Sequence, residues 1–374
     1  MSDHVSPIHH KRPHGDRSGT ITALIPAHNE EHRLAACVDS LANQTVQPTR
    51  IVVIADNCTD RTALLAEGYG CEVFKTANNT QAKAGGLNQW LSANLESLED
   101  SELLFVMDAD GWLDPECLEN AIGYLDLGYA ACGGVFRAEN NGTFVGFFQA
   151  NEYERYRYLL RRSKGRTLVL TGTATLFKAH LLKEVLIGRG CGAIPSSGDS
   201  PEAVYSVKTL VEDLELTLAI KHLGHSIIAP IDCSLETETM DTWRGLAKQR
   251  YRWKLGALQA AWQHGFTQHT SVFHRLQALN LLGIAATLIY LSTLAAALLT
   301  GPGLHVKEIW LWVTLVYMIE RTITVWRRGW EARVMAFLLL PEMIFDITLQ
   351  LVQLRAITSW LLRRKQKDWY GVTH

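Results

Sequence analysis

Two carboxylates that could hold a metal ion, Asp108 and Asp110, directly follow an apolar run at residues 103–107. Such a run is typical of a short strand buried on both faces. If the extended backbone continues, both side chains project from the same side of the strand, and two anions that close repel unless a cation lies between them. Mg²⁺ or Mn²⁺ carrying a nucleotide diphosphate would satisfy them, because hard oxygen ligands suit these ions. Taken alone, Asp-x-Asp more often marks a strand-end turn that caps the next helix, so other residues must decide.

A candidate general base lies at the start of a helix predicted for residues 210–223. Thr209 and Glu212 have the spacing of a capping box, which puts Asp213 in the first turn. The helix dipole there favours the ionised carboxylate, which is the form a general base needs. An acidic residue in a first turn is also ordinary helix chemistry, so Asp213 needs suitable neighbours to be more than that.

Three side chains of different chemistry share one face of a helix predicted for residues 241–264. Gln249, Arg252 and Trp253 stand at positions i, i+3 and i+4. An amide, a guanidinium and an indole suit sugar hydroxyls, a pyrophosphate and a sugar ring. The pattern also fits an amphipathic helix that lies on a membrane with its basic side chains extended to the interface, and both interpretations can hold together.

Small residues mark two further stretches that could approach a ligand closely. Residues 81–88 combine alanines and glycines with Lys83, whose ammonium could reach a phosphate as a point charge. A flexible helix start explains the same composition. Residues 168–177 contain Thr171 and Gly172, which are small enough to face an acceptor.

These residues need a scaffold, and alternating elements supply one. Strands are predicted at 20–26, 50–55, 72–75 and 103–107, with helices at 30–43, 60–68 and 82–97 between them; 129–137 is predicted as a later strand and 144–162 as a helix. Alternation at this spacing implies an α/β fold with a parallel, doubly wound sheet. Ligands bind beyond the carboxyl ends of such strands. Polar clusters at 27–30, 56–57 and 108–110 all fall there, and this shared position is stronger evidence than any one cluster.

The composition narrows the class of protein. The chain has 374 residues, 20% of them charged, and a formal net charge of −2. It has no basic stripe with interleaved aromatic residues, so no nucleic-acid partner is predicted. The seven cysteines are odd in number and form no Cys-x-x-Cys pair, which fits a reducing, cytosolic location for the first two-thirds of the chain. Residues 1–18 are polar and rich in His, and are predicted to be a disordered tail.

Apolar residues are concentrated beyond residue 275. No Asp, Glu, Lys or Arg occurs between Arg275 and Lys307, so residues 276–300 are predicted to span a membrane, and 309–326 form a weaker second candidate. Residues 334–362 favour an interfacial or re-entrant helix over a third span, because four residues form one polar face: Glu342, Asp346, Gln350 and Gln353.

The predicted organisation follows from these patterns. A catalytic domain occupies residues 19–240, amphipathic interface helices occupy 241–275, and a membrane region occupies 276–374. Arginines after the second span put the catalytic part in the cytoplasm by the positive-inside rule. The prediction is therefore an integral protein of the inner or plasma membrane, with the lipid bilayer as a partner.

The ordered set of motifs resembles the family 2 inverting glycosyltransferases, particularly the membrane-embedded branch that contains cellulose, hyaluronan, chitin and poly-N-acetylglucosamine synthases. The resemblance covers about residues 20–255 and implies a GT-A fold, doubly wound and Rossmann-like, with a nucleotide-sugar donor that is usually UDP-linked. The motifs are Pro26-Ala27-His28-Asn29-Glu30, Asp56, Lys83-Ala84-Gly85-Gly86-Leu87-Asn88, Asp108-x-Asp110, Glu212-Asp213 and Gln249-x-x-Arg252-Trp253.

Roles follow by resemblance. The expected donor-binding residues are Pro26, Glu30, Asp56, Lys83, Asp108 and Arg252. Asp110, with Asp108, would ligate Mg²⁺ or Mn²⁺, and Asp213 would deprotonate the acceptor hydroxyl. Gln249 and Trp253 would bind the acceptor end, beside Thr171 and Gly172.

The implied reaction is a single displacement, which inverts an α-linked donor and gives a β-glycosidic product. Val211 replaces the Thr that usually precedes the Glu-Asp pair. Two spans cannot enclose a polymer channel in one chain, so the acceptor and product length stay open. The alternatives are repeated transfer onto a saccharide, with a possible homo-oligomer as the channel, or a single transfer to a lipid or protein. A sugar nucleotidyltransferase is disfavoured, because it needs neither an acceptor base nor Trp253, and the complete acidic set disfavours a non-catalytic scaffold.

Overall fold

Strands and helices alternate through the first half of the chain. The structure is a computed structural model that describes residues 20–198, 203–300 and 308–362; the predicted tail at 1–18 and the last residues of the predicted membrane region lie outside these ranges. The strands are β1 (Ile21–Ala27), β2 (Arg50–Ala55), β3 (Glu72–Lys75), β4 (Leu103–Met107), β5 (Gly111–Leu113), β6 (Ala131–Gly133), β7 (Val135–Ala138), β8 (Ala174–Lys178), β9 (Ile227–Ile228) and β10 (Ser234–Thr237). The helices are α1 (Leu34–Ala42), α2 (Thr62–Gly68), α3 (Ala82–Asn94), α4 (Cys117–Asp126), α5 (Phe144–Arg162), α6 (Ala179–Gly190), α7 (Glu212–His222), α8 (Trp243–Gln263), α9 (Ser271–Thr300), α10 (Glu308–Thr324), α11 (Trp330–Phe337) and α12 (Leu340–Leu361).

A seven-stranded sheet in the order β3-β2-β1-β4-β8-β6-β9 forms the centre of the catalytic part. The first four strands in this order are parallel, which agrees with the α/β, doubly wound prediction. The expectation of an all-parallel sheet is wrong, because β8 runs antiparallel to both β4 and β6. The chain reaches β8 at the carboxyl end of β4, where Asp108 N donates to Thr173 O at 3.1 Å, so β8 can only run back along its neighbour.

A second sheet, β5-β10-β7, packs beside the first. The strand predicted at residues 129–137 is in fact two strands, since β6 belongs to the large sheet and β7 to the small one. The chain changes sheets at Gly134. A Cβ there would lie 2.7 Å from Leu235 Cδ2 and 2.9 Å from Ala174 Cβ, so the crossing has room for glycine alone.

The core covers both faces of the large sheet. All five residues of β4 are buried, as its apolar run predicts. Alternate side chains serve opposite faces: Phe105 packs in one cluster with residues of α1 and α4, whereas Leu104 and Val106 pack in the other with residues of α3, α6 and α7. Because β4 is packed on both faces, it is a rigid support for the polar residues that follow it.

The C-terminal helices correspond to the predicted membrane region. Among the described residues one helix, Ser271–Thr293 within α9, is long and apolar enough to cross a bilayer. The described part of α10 has 17 residues. Helices α11 and α12 meet at a bend of 75°, as a broken span or a re-entrant loop would. These properties concern length and composition, so membrane insertion stays a prediction.

The polar face of α12 contacts three other helices. Glu342 pairs with Arg155 of α5 at 2.6 Å, and Asp346 pairs with Arg321 of α10 at 2.5 Å. Gln350 and Gln353 donate to Thr287 and Gln277 of α9 at 3.0 and 2.8 Å. The polar spacing that the sequence shows along 334–362 therefore joins α12 to its neighbours.

Candidate active site

Polar residues that follow three neighbouring parallel strands meet at one edge of the large sheet. His28 and Glu30 follow β1, Asp56 follows β2, and Asp108 and Asp110 follow β4. His28 Nδ1 lies 2.6 Å from Asp56 O, which ties the first two segments together. The expected common position of the three clusters is therefore what the fold produces.

The two carboxylates of the Asp-x-Asp pair lie in different surroundings. β4 ends at Met107 and the chain turns, with Gly111 N donating to Asp108 O at 3.4 Å, so the extended backbone does not continue through the two carboxylates. Asp108 Oδ1 accepts a hydrogen bond from Lys83 Nζ at 2.5 Å. Asp110 Oδ1 is buried and has no hydrogen-bond partner among the described residues.

Four carboxylates, Glu30, Asp108, Asp110 and Glu238, form what we call the acidic edge. Burial, with the negative charges of Asp110, Glu238 and Asp108, raises the pKa of Glu30 to about 8. Burial, Asp108 and Glu238 raise the pKa of Asp110 to about 7. Crowded acids with elevated pKa values are a common mark of a functional site.

The acidic edge fits a divalent cation shared with a ligand. Within the described residues, no three His, Cys, Asp or Glu side chains form a ready-made metal cage. Mg²⁺ is commonly held by one or two carboxylates together with substrate phosphates. The unpartnered Asp110 oxygen meets that requirement, so Asp110 and Asp108 could hold Mg²⁺ or Mn²⁺ once a diphosphate supplies the remaining ligands.

Lys83 connects the acidic edge to the start of α7. Its Nζ donates to Asp108 Oδ1 and, at 2.8 Å, to Gly172 O, and it lies 3.7 Å from Glu212 Oε1. Burial opposes the charge of Lys83, but Asp108 and Glu212 outweigh it, so the pKa of the ammonium is raised. A protonated lysine is therefore fixed between two groups of acids.

Asp213 lies in the first turn of α7, as predicted, but without the capping box. The helix begins after Val211 and has no side-chain cap, because Thr209 Oγ1 donates to Val211 O at 3.2 Å instead. Asp213 Oδ2 accepts a hydrogen bond from Gly172 N at 2.9 Å. A Cβ on Gly172 would lie 2.8 Å from Lys83 Nζ, so a larger residue here would displace the ammonium.

Two pockets meet at Thr171. The first is lined by residues that include Lys83, Gly172, Glu212 and Asp213. The second is a cleft of about 270 Å³ with Trp253 in its wall. Because Thr171 lines both, the pocket around Asp213 and the cleft are neighbours with Thr171 in the wall of each.

The predicted face of α8 is only partly directed to these pockets. Trp253 lines the cleft. Arg252 lies close enough to Glu212 for its positive charge to lower the pKa of that carboxyl, although burial gives Glu212 a raised pKa overall. Gln249 Oε1 instead accepts from Arg250 Nη1. Arg250 is 2% exposed, and the sequence motif assigns no role to it.

One predicted donor-binding residue lies deeper than the others. Asp56 is buried and its Oδ1 accepts a hydrogen bond from Thr76 Oγ1 at 2.8 Å. Pro26 lies within β1, opposite Ile54 of β2. Glu238 lies at the acidic edge, and Tyr205 lines the first pocket. Neither residue was predicted from the sequence, although Glu238 directly follows a strand, as Asp108 does.

Comparisons with known proteins agree with this fold. Residues 22–186 match the family described as Glycosyl transferase family 2. The chain is 27% identical over 246 residues to the probable glycosyltransferase YdaM of Bacillus subtilis (strain 168), covering 63% of this chain and 54% of the relative. It is 24% identical over 266 residues to the uncharacterized glycosyltransferase YaiP of Escherichia coli (strain K12), covering 66% and 58%. The chain thus spans just over half the length of these curated relatives.

A solved structure shows the same fold. The mannosyltransferase PcManGT from Pyrobaculum calidifontis, in complex with GDP-Man and Mn²⁺, superposes with a TM-score of 0.58 at 18% identity, covering 92% of this chain and 88% of that one. The fold is therefore the GT-A-like α/β fold that the motifs predicted. The matched segment and the relatives support a family 2 glycosyltransferase. Membership of the polysaccharide-synthase branch stays a prediction, and the match to the family ends before Asp213 and Trp253.

Proposed function

We propose that the protein is a membrane-associated, metal-dependent, inverting glycosyltransferase. It transfers a sugar from a nucleotide-sugar donor, with UDP-sugars as the first candidates, to an acceptor hydroxyl. One observation carries the proposal: Asp108, Lys83, Gly172 and Asp213 form a continuous chain of hydrogen bonds between the acidic edge and the acceptor side. The donor and Mn²⁺ in the PcManGT complex support a nucleotide-sugar donor and a divalent cation.

On the donor side, each group has a task that its surroundings support. Glu30 and Asp56, with Pro26, flank the nucleoside end. Asp110 and Asp108 would hold Mg²⁺ or Mn²⁺, and the ion would supply Lewis-acid stabilisation of the departing diphosphate. Lys83 and Arg252 add positive charge where negative charge develops.

On the acceptor side, Asp213 is the general base. Its carboxylate accepts a hydrogen bond from the Gly172 amide, which fixes the orientation of the side chain. The acceptor oxygen attacks the anomeric carbon as the bond to the diphosphate breaks, and the hydroxyl proton passes to Asp213. The configuration inverts, so an α-linked donor gives a β-linked product.

The acceptor comes from the membrane side of the molecule. Helix α9 anchors the catalytic part at the cytoplasmic face of the inner or plasma membrane. Repeated transfer that builds a polysaccharide is the first candidate, and a single transfer to a lipid or protein is the second. Product size separates them, because repeated transfer gives a ladder of lengths.

The test is release of nucleoside diphosphate from a panel of UDP- and GDP-sugars by membranes that contain the full chain and Mn²⁺. Asp213→Asn should lower transfer by about 10²–10⁴-fold and leave donor binding mostly intact. Asp100→Asn, at an exposed carboxylate, is the matched control and should transfer normally. Full turnover by Asp213→Asn would remove Asp213 from its role, and pyrophosphate as the released product would point to a nucleotidyltransferase.

A further inference from the structure

The cleft beside Asp213 has an aromatic wall. We call it the aromatic cleft and define it by its ring-bearing residues, Phe136 of β7, Tyr153 and Tyr156 of α5, and Trp253 of α8. Its volume, about 270 Å³, is close to the lower end of the 300–1,000 Å³ typical of small-ligand sites. It can therefore receive a small ring rather than a bulky group.

The rings are fixed by contacts with one another. Phe136 packs edge-on against Tyr153 with ring centroids 4.5 Å apart, and it stacks on Tyr156 at 5.6 Å. Tyr156 Oη lies 3.2 Å from Thr167 Oγ1. Such packing gives a preformed surface, which costs little ordering entropy when a ligand binds.

One carboxylate, Glu152, lines the same cleft. Arg250 Nη2 donates to Glu152 Oε2 at 2.6 Å, and the side chain of Glu152 is still 32% exposed. The guanidinium of Arg250 lies 4.2 Å from the ring centroid of Trp253 and 5.8 Å from that of Tyr153. The buried Arg250 thus holds Glu152 and two aromatic rings in one arrangement.

The lining of the cleft specifies the kind of ligand. It consists of aromatic and aliphatic side chains, threonine hydroxyls and the Glu152 carboxylate, and none of the described lining residues is cationic. A carboxylate only accepts hydrogen bonds, so Glu152 binds hydroxyl donors and has no hydrogen to donate to an anionic group. Aromatic faces bind the apolar C–H face of a ring. A neutral sugar ring has both features.

We propose that Glu152 recognises a hydroxyl of a neutral pyranoside acceptor in the aromatic cleft, and that Arg250 is the residue that positions it. This inference rests on the proposed glycosyl transfer, because it names the acceptor class for the same site. Thr171 lines both the cleft and the pocket of Asp213, so a ring bound against Trp253 lies next to the general base. The inference disfavours acceptors whose terminal group is a phosphate or a carboxylate.

The first experiment measures binding without turnover. Saturation-transfer NMR on the detergent-solubilised full chain compares methyl β-glucoside, methyl β-N-acetylglucosaminide and methyl β-glucuronide. Wild type should bind at least one neutral glycoside and discriminate against the glucuronide. Glu152→Gln should weaken neutral binding about 10-fold, as expected when a hydrogen bond to a charged group is lost, and should narrow the discrimination against the glucuronide. Glu154→Gln, on the same helix but paired with Arg161, is the matched control.

The second experiment measures acceptor-stimulated release of nucleoside diphosphate. Glu152→Gln should raise the acceptor KM about 10-fold and leave the donor KM unchanged. Arg250→Met should show the same KM change, and Arg250→Lys should recover part of it, with thermal unfolding used to confirm that each variant is folded.

The two failures are distinguishable. Glycoside binding without any transfer would refute the proposed function and leave the aromatic cleft as a sugar site. Normal acceptor KM and normal NMR binding in Glu152→Gln, or tighter binding of the glucuronide than of both neutral sugars in wild type, would overturn the inference about Glu152.

Discussion

Buried and half-buried carboxylates on α12 and at the acidic edge have different surroundings. On α12, Glu342 pairs with Arg155 and Asp346 pairs with Arg321. At the acidic edge, negative charges crowd together until burial and repulsion raise the pKa values of Glu30 and Asp110 to about 8 and 7. Paired charges of the first kind hold helices together. Crowded negative charges of the second kind repel one another, and a bound ligand that supplies positive charge would relieve this repulsion.

Helix α7 carries, within a single turn, one acid that is paired with basic side chains and one that accepts from backbone amides. Glu215 is fully buried and bonded to Arg189 at 2.7 Å and to His264 at 2.9 Å. Asp213 is half-buried and accepts from backbone amides, those of Gly172 and Leu214. The comparison therefore separates a structural acid from a candidate base two residues away, although both belong to one acidic stretch of sequence.

The largest effect is expected on the structural side. Glu342→Gln should lower the free energy of unfolding by about 3–5 kcal/mol, because it leaves the buried charge of Arg155 without its anion. Thermal or denaturant unfolding of the detergent-solubilised protein measures the loss. The double variant Arg155→Met with Glu342→Leu should recover most of the stability; equal stability of Glu342→Gln and wild type would contradict a structural role for this pair.

The next effect is on activity. Lys83→Met should reduce kcat/KM by about 10²–10³-fold, the usual cost of losing one electrostatic donor at a reacting site. Lys83 is the ammonium that joins Asp108 to Gly172 and Glu212. Lys183→Met, which removes the partner of the exposed Asp100, should have little effect on kcat/KM. A normal kcat/KM in Lys83→Met would place the donor phosphates elsewhere.

The third effect depends on pH. Partners His264 and Arg189 outweigh burial and lower the pKa of Glu215 below 4.5. A lowered pKa means that this stabilisation is present above pH 4.5 and is lost as the pH falls through the folded-state value. Arg189 keeps its bonds to the carbonyl oxygens of Pro195 and Val204, so Glu215→Gln should be about 1.5–3 kcal/mol less stable at pH 7. Its difference from wild type should shrink below pH 4.5. A difference that stays constant down to pH 3 would contradict this pairing.

The sequence predicted most of what local patterns determine. The strand at 103–107 and the helix at 144–162 lie where their apolar and aromatic runs indicated. The predictions failed where tertiary contacts determine the local conformation. The examples are the change of sheets at Gly134, the antiparallel direction of β8, and the capping box that Thr209 does not form. In each case a distant part of the chain supplies the neighbour that fixes the local conformation.

Some residues of the candidate site could likewise be predicted from the sequence, and others could not. Residues at strand ends, such as Asp56 and Asp110, could be found because all parallel strands end at one edge. Glu152 and Arg250 could not, because their pairing at 2.6 Å spans 98 positions of sequence. Arg250 looks like one more basic residue of an amphipathic helix until its burial is seen.

The smallest effect tests the acidic edge itself. Asp110→Asn removes one of several crowded negative charges, so it should stabilise the metal-free protein by about 0.5–2 kcal/mol, as relief of a strained site commonly does. The same variant should lose the Mn²⁺ dependence of UDP or GDP binding, measured by calorimetry with and without EDTA. Asp114→Asn is the contrasting change, because Asp114 pairs with Arg137 at 2.5 Å and its neutralisation should not stabilise. If Asp110→Asn were instead destabilised in EDTA and bound nucleotide with normal Mn²⁺ dependence, the acidic edge would be structural, like the pairs of α12.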